Sequence, residues 1–186
     1  MKRTWRRLIL AGLVAVLVLF LGFVPSDRLA MPVKGASSAD WNPKSFWCSP
    51  WGKSGVHRGI DIFAQEGTPV MAASPGIVVY AGYDTIGGNV VSILGPKWRI
   101  HYYAHLKEIA VKNGDFLHRG VEVGTVGCTG NAAGKPPHLH YAIVTQIPHV
   151  RQWRGGKYGF DRMFYLDPGA ELTKHAMGGD TSKWKD

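Results

Sequence analysis

Two histidines separated by one residue, His138 and His140, follow a proline pair in Pro136-Pro137-His138-Leu139-His140-Tyr141-Ala142-Ile143. The prolines fix φ and offer no N–H, and the run after them alternates, which predicts a strand beginning at about His138. Residues two apart on a strand face the same way, so both imidazoles project together and could offer two nitrogens to a metal ion. Taken alone, the pair fits two half-exposed strand histidines equally well. A second group, His57-Arg58-Gly59-Ile60-Asp61, shifts the balance. His57 and Asp61 can share a face on a helix or on an extended segment, and Gly59 with Ile60 and Ile62 favours the extended form. By themselves they would read as a surface histidine and a turn-capping aspartate. Together with one histidine of the later pair they supply two nitrogens and an oxygen. Three protein ligands plus a water is the pattern of catalytic zinc, whereas structural zinc closes its fourth position, commonly with thiolate. A third feature is Tyr103-Ala104-His105-Leu106, where strand alternation places His105 on the face of Tyr103 and His101. His101 itself reads as an exposed edge histidine.

The elements that must hold these groups are short. Between Phe46 and Ile147, apolar runs at 70–73, 76–81, 89–94, 98–105, 122–127 and 138–145 are rich in β-branched and aromatic residues and broken by Gly, Pro, Asn and Asp. That pattern predicts an all-β, antiparallel domain, and no sustained helical period occurs in that range. The chain divides into an N-terminal segment 1–24, a Ser-, Ala-, Pro- and Gly-rich tether 25–45, the domain 46–172 and a polar tail 173–186, with fraying expected from about Thr173. No repeat of 20–50 residues and no low-complexity tract is present.

The first seven residues carry Lys2, Arg3, Arg6 and Arg7 and no acid, and 17 uncharged residues follow from Leu8 to Val24. This is a targeting segment: as a helix it would span about 26 Å, slightly short of a hydrocarbon core of ~30 Å. The nearest small-residue cleavage candidate, Ser37-Ser38-Ala39, lies well downstream. An uncleaved signal anchor through residues 8–24 is therefore favoured, with the domain outside the cytoplasm; a cleaved secretory signal is the alternative. Setting aside the four N-terminal cations leaves +5 of the formal charge of +9. Export and the lack of a basic stripe with interleaved aromatics argue against nucleic acid as a partner. Cys48 and Cys128 lie outside any CxxC pair; they either close one disulfide loop of about 80 residues or remain separate thiols.

Over about residues 51–145 the chain resembles the lysostaphin-type (LytM-type) zinc metallopeptidases. The resemblance is carried by His57-x-Gly59-x-Asp61, Gly67-Thr68-Pro69-Val70, Gly76-x-Val78, Tyr103-Ala104-His105-Leu106, Val111-x-x-Gly114-Asp115, Gly120, Gly124, Gly127-Cys128-Thr129-Gly130 and Pro137-His138-Leu139-His140, with Tyr165-Leu166-Asp167-Pro168 resembling the close of many members. It implies an open, barrel-like or sandwich-like antiparallel sheet with a groove. It implies one zinc per domain held by His57, Asp61 and His140, with His105 and His138 as unliganded catalytic residues. The implied activity is hydrolysis of peptide links in bacterial peptidoglycan by a zinc-activated water, in the periplasm or elsewhere outside the cytoplasmic membrane. Ala142 departs from the pattern, since many members have Glu there.

Two other readings follow from the same residues. A non-catalytic relative would bind the wall and regulate another hydrolase, and a regulatory protein partner suits either case; such relatives are expected to have lost ligands, whereas all five positions are filled here. A biotinyl- or lipoyl-like carrier would need an attachment lysine at a hairpin tip, and Lys112-Asn113-Gly114 lacks the neighbouring Met.

Overall fold

A computed structural model describes residues 2–176. It begins with helix α1 (Lys2–Leu21) and closes with helix α2 (Pro168–Ala176). Between them run strands β1 (Ile60–Phe63), β2 (Pro69–Met71), β3 (Gly76–Asp84), β4 (Gly88–Gly95), β5 (Arg99–Ile109), β6 (Phe116–Leu117), β7 (Glu122–Val126), β8 (His138–Thr145) and β9 (Tyr165–Leu166). All pair antiparallel in one open sheet whose main path is β1-β8-β5-β4-β3-β6, with β9 on β8 and β2 on β7. The six runs expected from the sequence are β2, β3, β4, β5, β7 and β8.

β5 organises the sheet because it serves two neighbourhoods. Its first part pairs with β4 and β8, and after an irregularity between Leu106 and Ile109 its end pairs with β7. Alternation then sorts the central strands. Ile60, Ile62, Tyr103, Leu139, Tyr141 and Ile143 are fully buried in the apolar core, while Asp61, Tyr102, Ala104, His138, His140 and Ala142 line the opposite, open side. Burying a large apolar side chain stabilises by about 1.5–3 kcal/mol, so this row fixes the register that the open side inherits.

The segment expected to be a tether is part of the domain. Leu29, Val33 and Trp41 lie in the core, Val33 bridges to Val70, and Ala30 N–H donates to Ala73 O at 2.9 Å. The hydrophobic residues here have no regular spacing because the stretch packs as irregular coil, and period-based reading cannot register it. The fraying expected from Thr173 also differs: α2 continues through Thr173 to Ala176, with Leu172 buried. The remainder of that expected tail, 177–186, lies outside the described residues. His101, expected at an exposed edge, is buried and bonded to Tyr141. Cys48 and Cys128 are separate thiols.

α1 is long and apolar enough to cross a membrane, over Arg3–Leu21 with mean hydropathy 2.0. The apolar stretch expected to run to Val24 ends as helix at Leu21.

Candidate metal centre and groove

β8 is the strand on which the site is built. His138 and His140 both face the groove, as the period-2 reading requires. In the sheet register His140 has Asp61 of β1 on one side and Ala104 of β5 on the other. His57 precedes β1 on an extended segment that passes close over β8. A Cβ on Gly59 would collide with the Tyr141 carbonyl and the His140 ring, so glycine is required between the two residues it separates.

His57 Nε2, Asp61 Oδ1 and His140 Nδ1 converge. The nitrogen of His57 is 3.0 Å from Asp61 Oδ1 and 3.1 Å from His140 Nδ1, which is 2.9 Å from Asp61 Oδ1. Tetrahedral coordination with arms of about 2.0–2.1 Å spaces ligand atoms by about 3.3 Å, so the three donors fit one small ion. Among the described residues this is the one His/Cys/Asp/Glu group placed to hold a metal. The roles of both ring nitrogens of His57 are assigned by its surroundings: Nδ1–H donates to the Ser45 carbonyl at 3.0 Å, leaving the lone pair of Nε2 toward the cluster. Trp51 stacks on the His57 ring at 4.1 Å and 16°.

His105 and His138 stand beside the cluster. Their ring centroids are 5.1 Å apart, His105 lies 5.9 Å from the His140 ring, and His138 Nε2 is 3.9 Å from Asp61 Oδ1. Each donates Nδ1–H to a backbone carbonyl, His105 to Thr129 at 2.9 Å and His138 to Pro136 at 2.8 Å. A carbonyl can only accept, so each neutral ring keeps Nε2 free to take a proton. His105 does not share the face of Tyr103 and His101, contrary to simple alternation. Its φ of 64° is left-handed, and this kink turns it onto the groove side next to Ala104. Gly87 O accepts the His105 N–H at 2.7 Å and holds the turn.

The electrostatics follow from this packing. Burial pushes the Asp61 carboxyl up, but the hydrogen bond from His140 and the close approach of the His140 and His57 rings outweigh it and keep the group ionised far below the usual range. Burial lowers His140 against the opposing pull of Asp61. His105 is lowered to about 4, first by burial and then by His140 and His138, so it is a neutral acceptor near pH 7.

The groove encloses about 1000 Å³. Its acids are Asp61 and Asp84, and Asp84 is engaged by the Tyr102 hydroxyl at 3.1 Å and by the Ile86 N–H at 2.7 Å. Burial, and then Asp84, push the Tyr102 phenol well above its ordinary range, so it remains a hydroxyl donor. Sequence reasoning missed Tyr102, although alternation carried back two residues from Ala104 would have found it. It also missed Trp51, for which no periodic signal exists.

The profile of Peptidase family M23 matches residues 55–152, more than half of the chain. The chain belongs to that family. An M23 relative, the L-Ala--D-Glu endopeptidase of Bacillus subtilis, is 34% identical over 138 residues, covering 64% of this chain and 42% of that protein. The peptidoglycan DD-endopeptidase ShyC of Vibrio cholerae is 37% identical over 112 residues, 60% of this chain and 25% of its own length. This M23 chain therefore spans less than half the length of either relative. Among solved structures, the catalytic domain of the antimicrobial peptidase lysostaphin from Staphylococcus simulans superimposes with a TM-score of 0.58 at 28% identity, over 73% of this chain and 95% of that one. The open antiparallel sheet with a groove, expected from the sequence, is the fold it shares.

Proposed function

We propose that this M23 domain is a zinc-dependent endopeptidase that hydrolyses stem or cross-link peptides of bacterial peptidoglycan. The observation that carries the reading is the convergence of His57 Nε2, Asp61 Oδ1 and His140 Nδ1 within 3.1 Å of one another, with two further imidazoles aimed at the same space. His57, Asp61 and His140 would hold one zinc, whose presence supplies Lewis-acid polarisation of a carbonyl and acidifies a water to a pKa of about 7.

The protein's own groups then divide the work. Asp61 stays anionic and offsets the charge of the ion, and Ser45 locks the tautomer of His57. His105 Nε2 is free to take the proton of the attacking water, and His138 Nε2 faces the same space. One imidazole accepts that proton and the pair returns one to the leaving amine or stabilises the developing oxyanion. The aromatic and aliphatic floor formed by Tyr102, Ile100, Ala142 and Val144 holds an extended peptide and limits water.

The names of the relatives, peptidoglycan DD-endopeptidase and L-Ala--D-Glu endopeptidase, support wall peptides as the substrate class. We further propose that α1 anchors the protein in the cytoplasmic membrane with the domain outside; a regulatory protein partner acting there is part of the same proposal. The test is metal analysis of protein purified without added metal, combined with mass spectrometry of fragments released from purified wall. One equivalent of zinc and new peptide termini are expected; zinc-loaded protein that binds wall and releases nothing would make it a non-catalytic regulator instead.

A further inference from the structure

The segment from Ile147 to Phe160 is a surface feature that the groove chemistry leaves unexplained. It carries Arg151, Arg154 and Lys157, and no Asp or Glu occurs from Thr145 to Phe160. Its large apolar side chains point outward: Val150 is 69%, Trp153 60% and Phe160 65% exposed. Exposed aromatic and aliphatic groups interleaved with cations, with no acid among them, match the surface of an anionic bilayer.

Its place in the fold gives the second argument. The Trp98 indole N–H donates to the carbonyl of Leu19 in the last turn of α1 at 3.1 Å, and Lys97 N–H donates to Gly22 O at 2.6 Å. Lys97 and Arg99 both pair with Asp27, and Arg99 also pairs with Glu171. The β4–β5 hairpin is thus clamped to the end of the apolar helix. Gln146 N–H donates to Trp98 O at 3.3 Å, so the segment leaves β8 at that clamp. Val150 follows four residues later and can lie at most about 14 Å away along the chain.

We infer that residues 147–160 dock on the surface of the anionic bilayer that α1 enters. The inference rests on the proposal that α1 crosses that bilayer. Val150 and Trp153 enter the headgroup boundary, and Arg151, Arg154 and Lys157 meet lipid phosphates. The far end of the segment is tied to the groove wall: Arg58 pairs with Asp161 at 2.9 Å and lies over the Tyr158 ring at 5.6 Å. Docking therefore holds the groove close to the bilayer.

The experiment is amide hydrogen exchange on the full chain in lipid nanodiscs made with and without phosphatidylglycerol. Amides in 147–160 are expected to exchange at least tenfold more slowly in discs containing the anionic lipid. The combined substitutions Arg151→Glu, Arg154→Glu and Lys157→Glu should remove that slowing while β4 and β5 amides keep their protection; Trp153→Ser serves the same purpose if the triple variant does not fold. Failure of the chain to enter discs would sink the anchoring of α1. A chain that enters discs but exchanges equally in both lipids would overturn the docking alone. Slowing seen only after wall fragments are added would overturn it too, assigning the segment to the wall.

Discussion

His57 donates its Nδ1–H to the carbonyl of Ser45 at 3.0 Å, and this bond ties the proposed metal centre to the irregular segment before the sheet. The N-terminal coil and the site are therefore one structural unit.

Truncation is expected to expose that dependence. A chain beginning at Phe46 loses the burial of Leu29, Val33 and Trp41, each contributing about 1.5–3 kcal/mol, together a large part of the 5–15 kcal/mol that holds a domain folded. A chain beginning at Ser26 should retain its urea midpoint. Equal midpoints for the two would show that the segment contributes nothing.

Ligands and acid–base groups should separate in variants. His140→Ala and Asp61→Ala are expected to lose bound zinc and turnover together. His105→Ala and His138→Ala should keep the metal and lose roughly 10²–10⁴ in rate. Metal content measured alongside cleavage of muropeptide dimers distinguishes them, and zinc loss in either of the last two would reassign that residue as a ligand.

The left-handed backbone at His105 predicts an inversion of the usual glycine penalty. His105→Gly should be more stable than His105→Ala by about 1 kcal/mol, because only glycine adopts φ near 64° without strain. Both should be equally inactive. Denaturant unfolding of the pair decides it, and an alanine variant as stable as the glycine one would refute the strain.

Stability should fall with acid through His101. Burial lowers this imidazole to about 3, followed by a smaller effect of Arg99, and the Tyr141 hydroxyl lies 2.7 Å from its Nδ1. The unfolded chain takes up a proton near pH 6.5 while the folded one does not. The stabilisation is complete above that pH and is lost as pH falls toward 3, by up to about 1.4 kcal/mol per unit. His101→Gln should show a shallower decline over this window when urea midpoints are compared; parallel profiles would exclude His101 as the cause.

How far the sequence reached depended on whether side-chain period carried the information. His138 and His140 share a face because β8 alternates without interruption, and His57 and Asp61 converge because Gly59 permits the approach to β8. His105 went to the wrong face because alternation assumes φ below zero. Leu29, Val33 and Trp41 were read as tether because coil packing leaves no period. The carbonyls of Ser45, Thr129 and Pro136 fix three imidazole tautomers, and a backbone carbonyl has no sequence signature at all.

His57 and His140 meet although 83 residues separate them along the chain. Closing so long a loop costs entropy before any contact offsets it, and His140 is supplied by β8, far along the chain from β1. Two donors alone bind an ion weakly. In the proposed topology, a chain threaded outward from its N-terminus would bring His57, Asp61 and His140 together only after β8 has followed β1 across the membrane, so the proposed centre would be completed outside the cytoplasm.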